Sequence, residues 1–239
     1  MLRTRGPSST VAGHSAALVY RPHLLGTSYV PFQIPPMLGA RVRVISDDSA
    51  LEMCYIPDFL SNPVADALLE RLRNGVHWRG ERVHVFGRWH AVPRLVSWCG
   101  EPRIDYHYSG RAHRCDGWSE PVLPVRRRLL EALGVPFNFV LLNRYRDGAD
   151  AMGWHADDEP SLGRKPVIAS ISLGATRRLL VRARRPERKP STAVDLRHGS
   201  LLLAWGNCQH RYEHSLARTR KPVGERINLT FRNVISSDG

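Results

Sequence analysis

Arg226-Ile227-Asn228-Leu229-Thr230-Phe231-Arg232 decides how this 239-residue chain folds. In an extended strand, alternate side chains point to opposite faces. Ile227, Leu229 and Phe231 therefore go one way, and Arg226, Asn228, Thr230 and Arg232 the other. The apolar face demands a core. The polar face, with an arginine at each end, is costly to bury without purpose. It is suited to gripping a dicarboxylate, because one guanidinium fork matches one carboxylate.

Short apolar runs recur before this strand, at 139–145, 167–173, 178–181 and 200–205, and the last run extends over 226–234. Turn-rich loops at Asp147-Gly148, 160–166, 184–190 and Gly206-Asn207 separate them. Two helices precede the strands. Ser61-Asn62-Pro63 reads as a helix start, Val64, Ala67, Leu68 and Leu72 follow at helical spacing, and Gly75 ends the run. Residues 122–133 set Val125, Leu129, Leu130 and Leu133 inward, with Gly134 as the stop. Between the helices, residues 77–110 are rich in Trp, Tyr, His, Gly and Arg and read as strands and hairpins. Many short strands flanked by two helices predict an α+β protein with a sandwich or double-sheet barrel at its centre.

Composition narrows the class of partner. The formal charge is +13, and nearly all of the excess is arginine, since the lysines are Lys165, Lys189 and Lys221. A polyanion, most commonly nucleic acid, is the expected partner of such a surface. No apolar run approaches a membrane span, so no membrane partner is expected. Cys54, Cys99, Cys115 and Cys208 form no Cys-x-x-Cys pair, which leaves neither a zinc knuckle nor a secreted disulfide framework and predicts a reducing compartment. Residues 1–46 contain no acid and several serines, glycines and prolines, and read as a poorly ordered basic tail. A DNA-contacting arm and a mitochondrial transit segment both suit that composition. The charged loop 184–190 reads equally as a solvated insertion or a phosphate contact.

His155-Ala156-Asp157 supplies an imidazole and a carboxylate at i and i+2, and His214 a second imidazole. Together they are a two-histidine, one-carboxylate set that suits iron(II) and leaves positions open for a co-substrate and oxygen. His210, four residues before His214, offers the alternative of a zinc pair on a helix, but no general-base glutamate follows it. Asn143 and Tyr145 share one face of the 139–145 run and add an amide and a phenol to the polar row of residues 226–232.

Taken in order, Asn143-x-Tyr145, His155-x-Asp157, His214 and Arg226-x5-Arg232 resemble the AlkB family of iron(II)- and 2-oxoglutarate-dependent dioxygenases. The likeness extends through residues 137–145, 153–159 and 209–216 and covers about residues 50–235. It implies a double-stranded β-helix (jelly roll) core with flanking helices and an N-terminal nucleotide-recognition lid. The tail would be residues 1–46, the lid and first helix 47–120, and the jelly-roll dioxygenase core 121–239, with 47–239 forming a single catalytic domain. It implies His155, Asp157 and His214 as iron ligands. Asn143, Tyr145, Arg226, Asn228, Thr230 and Arg232 would bind 2-oxoglutarate, with Arg226 nearer the keto-acid end and Arg232 on the distal carboxylate. The co-substrates implied are iron(II), 2-oxoglutarate and O2.

The residues before the core bear on the substrate. Val83-His84-Val85-Phe86-Gly87-Arg88-Trp89-His90 reads as a hairpin presenting Phe86 among cations, and with Arg94 it resembles the intercalating finger of duplex-DNA repair members of the family. Tyr106-His107-Tyr108-Ser109-Gly110 resembles their base pocket. Asp158, helped by Glu159, is expected to read the positive charge of 1-methyladenine or 3-methylcytosine. The resemblance implies oxidative demethylation of such bases in DNA, double-stranded by preference and single-stranded as well, by a monomer. RNA as substrate, or a catalytically silent nucleic-acid-binding jelly roll, are the alternatives. The nucleus is the expected compartment, with the mitochondrion or another DNA-containing organelle as the alternative.

Overall fold

The computed structural model describes residues 32–45, 51–85, 87–108, 111–184 and 192–235. A 3-10 turn at Pro36–Arg41 leads into β1 (Arg43–Val44) and β2 (Met53–Ile56), followed by helix α1 (Asn62–Gly75). Two hairpins come next, β3 (Arg79–Val85) with β4 (Arg88–Gly100), and β5 (Asp105–Tyr108) with β6 (Arg111–Arg114). Helix α2 (Leu123–Leu133) precedes β7 (Phe139–Tyr145), β8 (Met152–His155), β9 (Ile168–Gly174) and β10 (Arg177–Ala183). The chain closes with β11 (Thr192–Leu196), β12 (Ser200–Ala204), the short helix α3 (Cys208–Arg211), β13 (Tyr212–Leu216) and β14 (Arg226–Arg232).

Antiparallel pairing assembles an eight-stranded sheet in the order β1-β2-β12-β9-β14-β7-β4-β3 and a four-stranded sheet in the order β11-β10-β13-β8. The two sheets face one another as a jelly roll. Met53, Tyr55 and Leu202 of the larger sheet pack with Leu179, Val181 and Val194 of the smaller. The larger sheet's other face carries the helices, where Leu68, Leu72 and Leu129 meet Ile171, Leu229 and Phe231. β14 is central, between β9 and β7, and every one of its residues is buried. Its alternation works as the sequence demands. Ile227, Leu229 and Phe231 are fully buried on the helix side, and Arg226, Asn228, Thr230 and Arg232 line the space between the sheets.

α2 begins within a residue of its expected start and ends on Gly134, whose φ of 67° lets its N–H reach Leu130 O at 2.8 Å. Leu130 itself is 39% exposed, because the inward stripe runs through Val125, Leu129 and Leu133. On α1 the buried positions are Ala65, Leu68 and Leu72, and Val64 faces water at 52% exposure. Both helices thus bury a narrower stripe than the apolar pattern suggested, since only one row of a helix touches the sheet.

The expected tail and domain boundary need correction. Residues 32–45 lie inside the fold, anchored by Phe32 against Trp205 and by buried Leu38, and β1 extends the sheet edge. Nor does the core begin at 121, because β2, β3 and β4 are strands of the larger sheet. β5 and β6 alone stand apart as a two-stranded sheet.

Candidate metal and co-substrate site

Strand pairing brings the expected metal ligands together. β13 lies against β8 with His214 opposite His155, and the ring centroids are 4.2 Å apart. Asp157 follows just after β8, and one potential ligand atom from each of the three residues lies within 4.8 Å of the others. The Nδ1 of His155 faces the Gly153 carbonyl at 2.9 Å, so Nδ1 carries the proton and the Nε2 lone pair is left for a metal. Gln209 Oε1 accepts from the Asp157 backbone N–H at 3.0 Å and fixes the loop. His210 points elsewhere, with its Nε2 2.6 Å from the Arg164 carbonyl, and His214 is on a strand, so the helical zinc pair is not formed.

Charge is arranged to keep this corner ready for a cation. Burial works against ionisation of Asp157, yet the Arg232 guanidinium and the two imidazoles hold its carboxyl down to about 2. Arg232 Nη2 donates to Asp157 Oδ2 at 2.8 Å, and both side chains are 4% exposed. Burial, with His155 alongside, pushes His214 down to about 3, and burial also lowers His155. An anionic carboxylate and two neutral imidazoles are the protonation states that metal binding needs.

The larger sheet supplies the rest of a cavity of about 80 Å³, room for on the order of six waters or one small dicarboxylate. Arg226 is fully buried and donates through Nη2 to Ser172 Oγ at 2.8 Å and Asn228 Oδ1 at 2.7 Å, with Tyr145 beneath it at 5.3 Å. Asn228 Nδ2 continues the row by donating to Thr230 Oγ1 at 2.7 Å. Asn143 Oδ1 accepts from Arg94 Nε at 2.7 Å. Several buried polar atoms find no protein partner: Asp157 Oδ1, Arg226 Nε, and Nε and Nη1 of Arg232. Orphaned donors on two guanidiniums and an orphaned carboxylate oxygen are what a dianion and a divalent metal would satisfy. The residues therefore fit iron(II) and 2-oxoglutarate.

Two expectations about individual arginines are overturned. Arg232, expected at the distal carboxylate, sits on the metal-side carboxylate Asp157, and Arg226 lies at the other end of the row. Sequence order does not reveal which end of a strand meets the metal, and cross-sheet packing settles it in this direction. Arg94, expected to touch DNA, is buried at 6% exposure and clamps Asn143. Tyr106, expected to stack on an extruded base, is fully buried against Phe139 at 4.7 Å and under Arg232 at 5.5 Å. Asp158 is half-buried and paired with Arg184 Nη1 at 2.6 Å. Glu159 lies deeper, where burial and the Asp157 charge raise its carboxyl above the usual range. Arg88 is exposed on β4. Phe86, Ser109 and the side chain of Tyr108 lie outside the described residues.

Sequence reasoning missed Ser170, Ser172, Gln209 and Arg177. The alternation Ala169-Ser170-Ile171-Ser172 was the available signal for the serines. Arg177, 3% exposed, donates to the Asp147, Asp150 and Ala217 carbonyls and so ties the β7–β8 turn to the end of β13.

A jelly roll holding a His/Asp/His corner and a two-arginine row is the architecture of an iron- and 2-oxoglutarate-dependent oxygenase. The profile of the 2OG-Fe(II) oxygenase superfamily matches residues 52–232. The chain is 39% identical over 160 residues to mouse DNA oxidative demethylase ALKBH2, covering 64% of this chain and 67% of the relative. It is 35% identical over 198 residues to human alpha-ketoglutarate-dependent dioxygenase alkB homolog 3, covering 80% and 68%. The solved structure of OsALKBH1 superposes with a TM-score of 0.54 at 17% identity, over 80% of this chain and 99% of that one, a likeness of fold. This chain belongs to the AlkB family of 2OG-Fe(II) oxygenases and uses iron(II), 2-oxoglutarate and O2.

Two outcomes follow from the site. His214 titrates near 3 when folded and near 6.5 when unfolded, so between those values the unfolded chain binds the extra proton. Stability of the metal-free protein should therefore fall as pH drops from about 6.5 towards 3, and His214→Asn should flatten that slope. Thermal midpoints in chelator across this range measure it. Arg226→Gln should weaken 2-oxoglutarate binding about ten- to a hundred-fold, the worth of a charged hydrogen bond, with metal affinity unchanged in anaerobic calorimetry.

Proposed function

We propose that this oxygenase removes N-linked methyl groups from bases such as 1-methyladenine and 3-methylcytosine in DNA, preferring duplex and taking each base after it swings out of the stack. The relationship to a DNA oxidative demethylase at 39% identity carries the reading. The net charge of +13 supports a polyanionic substrate. The metal corner supports extrusion, because His155 is 22% exposed at its side chain and Asp157 only 4%. The metal corner is thus reached past its partly exposed histidines, His155 and His214, and a base inside a helix cannot project that far.

Bound iron(II), with 2-oxoglutarate and O2, supplies the oxidising power. One oxygen atom enters a methyl C–H bond and the other enters succinate as carbon dioxide leaves. The hydroxymethyl product then loses its C–N bond, giving formaldehyde and the restored base. The chain's own part is to orient and to exclude water. Arg232 holds Asp157 in place and Gln209 fixes its loop. Arg94 holds Asn143 towards the co-substrate. Asp158 meets the cationic base by exchanging Arg184, which is free to turn to a phosphate.

Repair of methylated duplex and single-stranded oligonucleotides, assayed in parallel with iron and 2-oxoglutarate, tests the reading. Equal rates on RNA would move the substrate class, and absence of turnover on every nucleic acid would end it. Phe86→Ala should cut duplex repair about ten-fold or more while sparing single strands, as expected of a wedge that offsets unstacking by a few kcal/mol. Asp158→Ala should lower turnover of 1-methyladenine about ten-fold, the loss of one charged contact, with iron binding intact. Unchanged turnover would remove Asp158 from base recognition.

A further inference from the structure

A groove of about 400 Å³ lies at the edge of the larger sheet, where β3 begins. Neighbouring residues of β7 separate the two spaces, with Asn143 lining the metal cavity and Leu142 the groove. His77, Arg79, Trp98, Arg114, Asp116 and Trp118 form its polar and aromatic wall. Arg79 lies over the Trp98 ring at 4.8 Å, and the indole N–H of Trp98 donates to the Arg114 carbonyl at 2.9 Å. The indole N–H of Trp118 is likewise taken, by Glu101 at 3.0 Å. The indole N–H groups are committed to the protein, and a guanidinium covers a face of each ring, Arg79 on Trp98 and Arg126 on Trp118 at 4.6 Å. Arg79 and Arg114 are exposed, and neither has a carboxylate partner among the described residues. Asp116 is the acid on the wall, so cations exceed anions there.

The groove lies at the base of the β3–β4 hairpin. Exposed Arg88 stands near the tip, exposed Arg82 lies partway down edge strand β3, and Arg79 is at its base. Charged residues on an edge strand also guard against sheet-to-sheet pairing, but that role needs no paired indoles and no cavity. A strand of this length spans about 20 Å, roughly six steps of a nucleic-acid strand.

We infer that the groove is a second nucleic-acid subsite, holding the phosphate backbone of the substrate strand at a point remote in sequence from the base at the metal. Arg79 and Arg114 take the phosphates, and Trp98 holds the Arg79 guanidinium at the groove wall. This subsite rests on the nucleic-acid reading above and adds a dependence on substrate length.

The test uses the full chain, the double variant Arg79→Glu/Arg114→Glu, and a control of equal charge change, Arg43→Glu/Arg127→Glu. Arg43 is on the opposite edge strand and Arg127 is exposed on α2. The groove variant should bind a methylated 16-nucleotide strand at least ten-fold more weakly. It should also lower the slope of log affinity against log salt by about one to two. Turnover of a methylated trinucleotide, too short to reach the groove, should match that of the unaltered protein. The control should lose clearly less affinity. Equal losses in both variants, or no loss in either, would overturn the subsite. Length-dependent binding without turnover on any oligonucleotide would sink the demethylase reading and leave the subsite standing.

Discussion

The buried pair between Arg232 and Asp157 is the contact on which the rest depends. It joins the end of β14, in the middle of the larger sheet, to the loop after β8, at the edge of the smaller one. Both partners are almost wholly out of water, and removing one member of such a pair costs about 3–5 kcal/mol because the other is left charged and alone. The pair keeps Asp157 ionised where burial alone would neutralise it. It also leaves Oδ1 turned away from the arginine and unsatisfied, directed to the metal corner. Structural stapling and ligand activation are thus one interaction.

From that contact the polar row of β14 becomes intelligible. A central strand with four polar side chains facing inward would weaken an ordinary sandwich. Here Asn228 and Thr230 satisfy one another and Arg226 leans on Ser172 and Tyr145, so the row's internal cost is small. What remains uncompensated is concentrated on the guanidiniums. Arg177 stands behind Tyr145 at 5.8 Å and adds to the positive field while bonding only carbonyls. Burial and this second cation lower Arg226 to about 10. The cavity is therefore biased towards an anion along the arginine row, while the Asp157 corner is kept for the metal.

Much of this was legible in the residues. The alternation of 226–232, the spacing of His155 and Asp157, and the Gly134 stop each follow from local geometry, and local geometry survives into the fold. Contacts that depend on cross-sheet packing did not survive so well. The two co-substrate arginines were assigned to the wrong ends, because a strand read alone has no metal end. Arg94 looked like one more surface cation, and nothing in its neighbours Val92-Pro93 reveals that β4 turns it onto Asn143. Residues 32–45 looked like tail because acids are lacking there, although Phe32 and Leu38 were enough to dock them. β8 and β13 are short and their buried and exposed positions do not alternate cleanly, whereas β11 alternates but over only five residues beside the charged 184–190 loop.

The same burial bears on how the positive charge should be understood. Arg94, Arg177, Arg226 and Arg232 are buried, yet Glu81, Asp150 and Asp157 are buried with them, so the interior nearly cancels itself. Among the described residues, the positive excess therefore rests on side chains that are exposed or half-buried. Exposed cations of one sign repel one another and weaken the compact state. Retaining them is favourable for a protein that spends its working time against a polyanion, where each phosphate neutralised relieves that repulsion and releases a counterion. The interior arginines are held by the fold around the metal cavity, and the exterior ones are left to meet a polyanion. β7 stands between the two spaces, with Asn143 lining the metal cavity and Leu142 the groove.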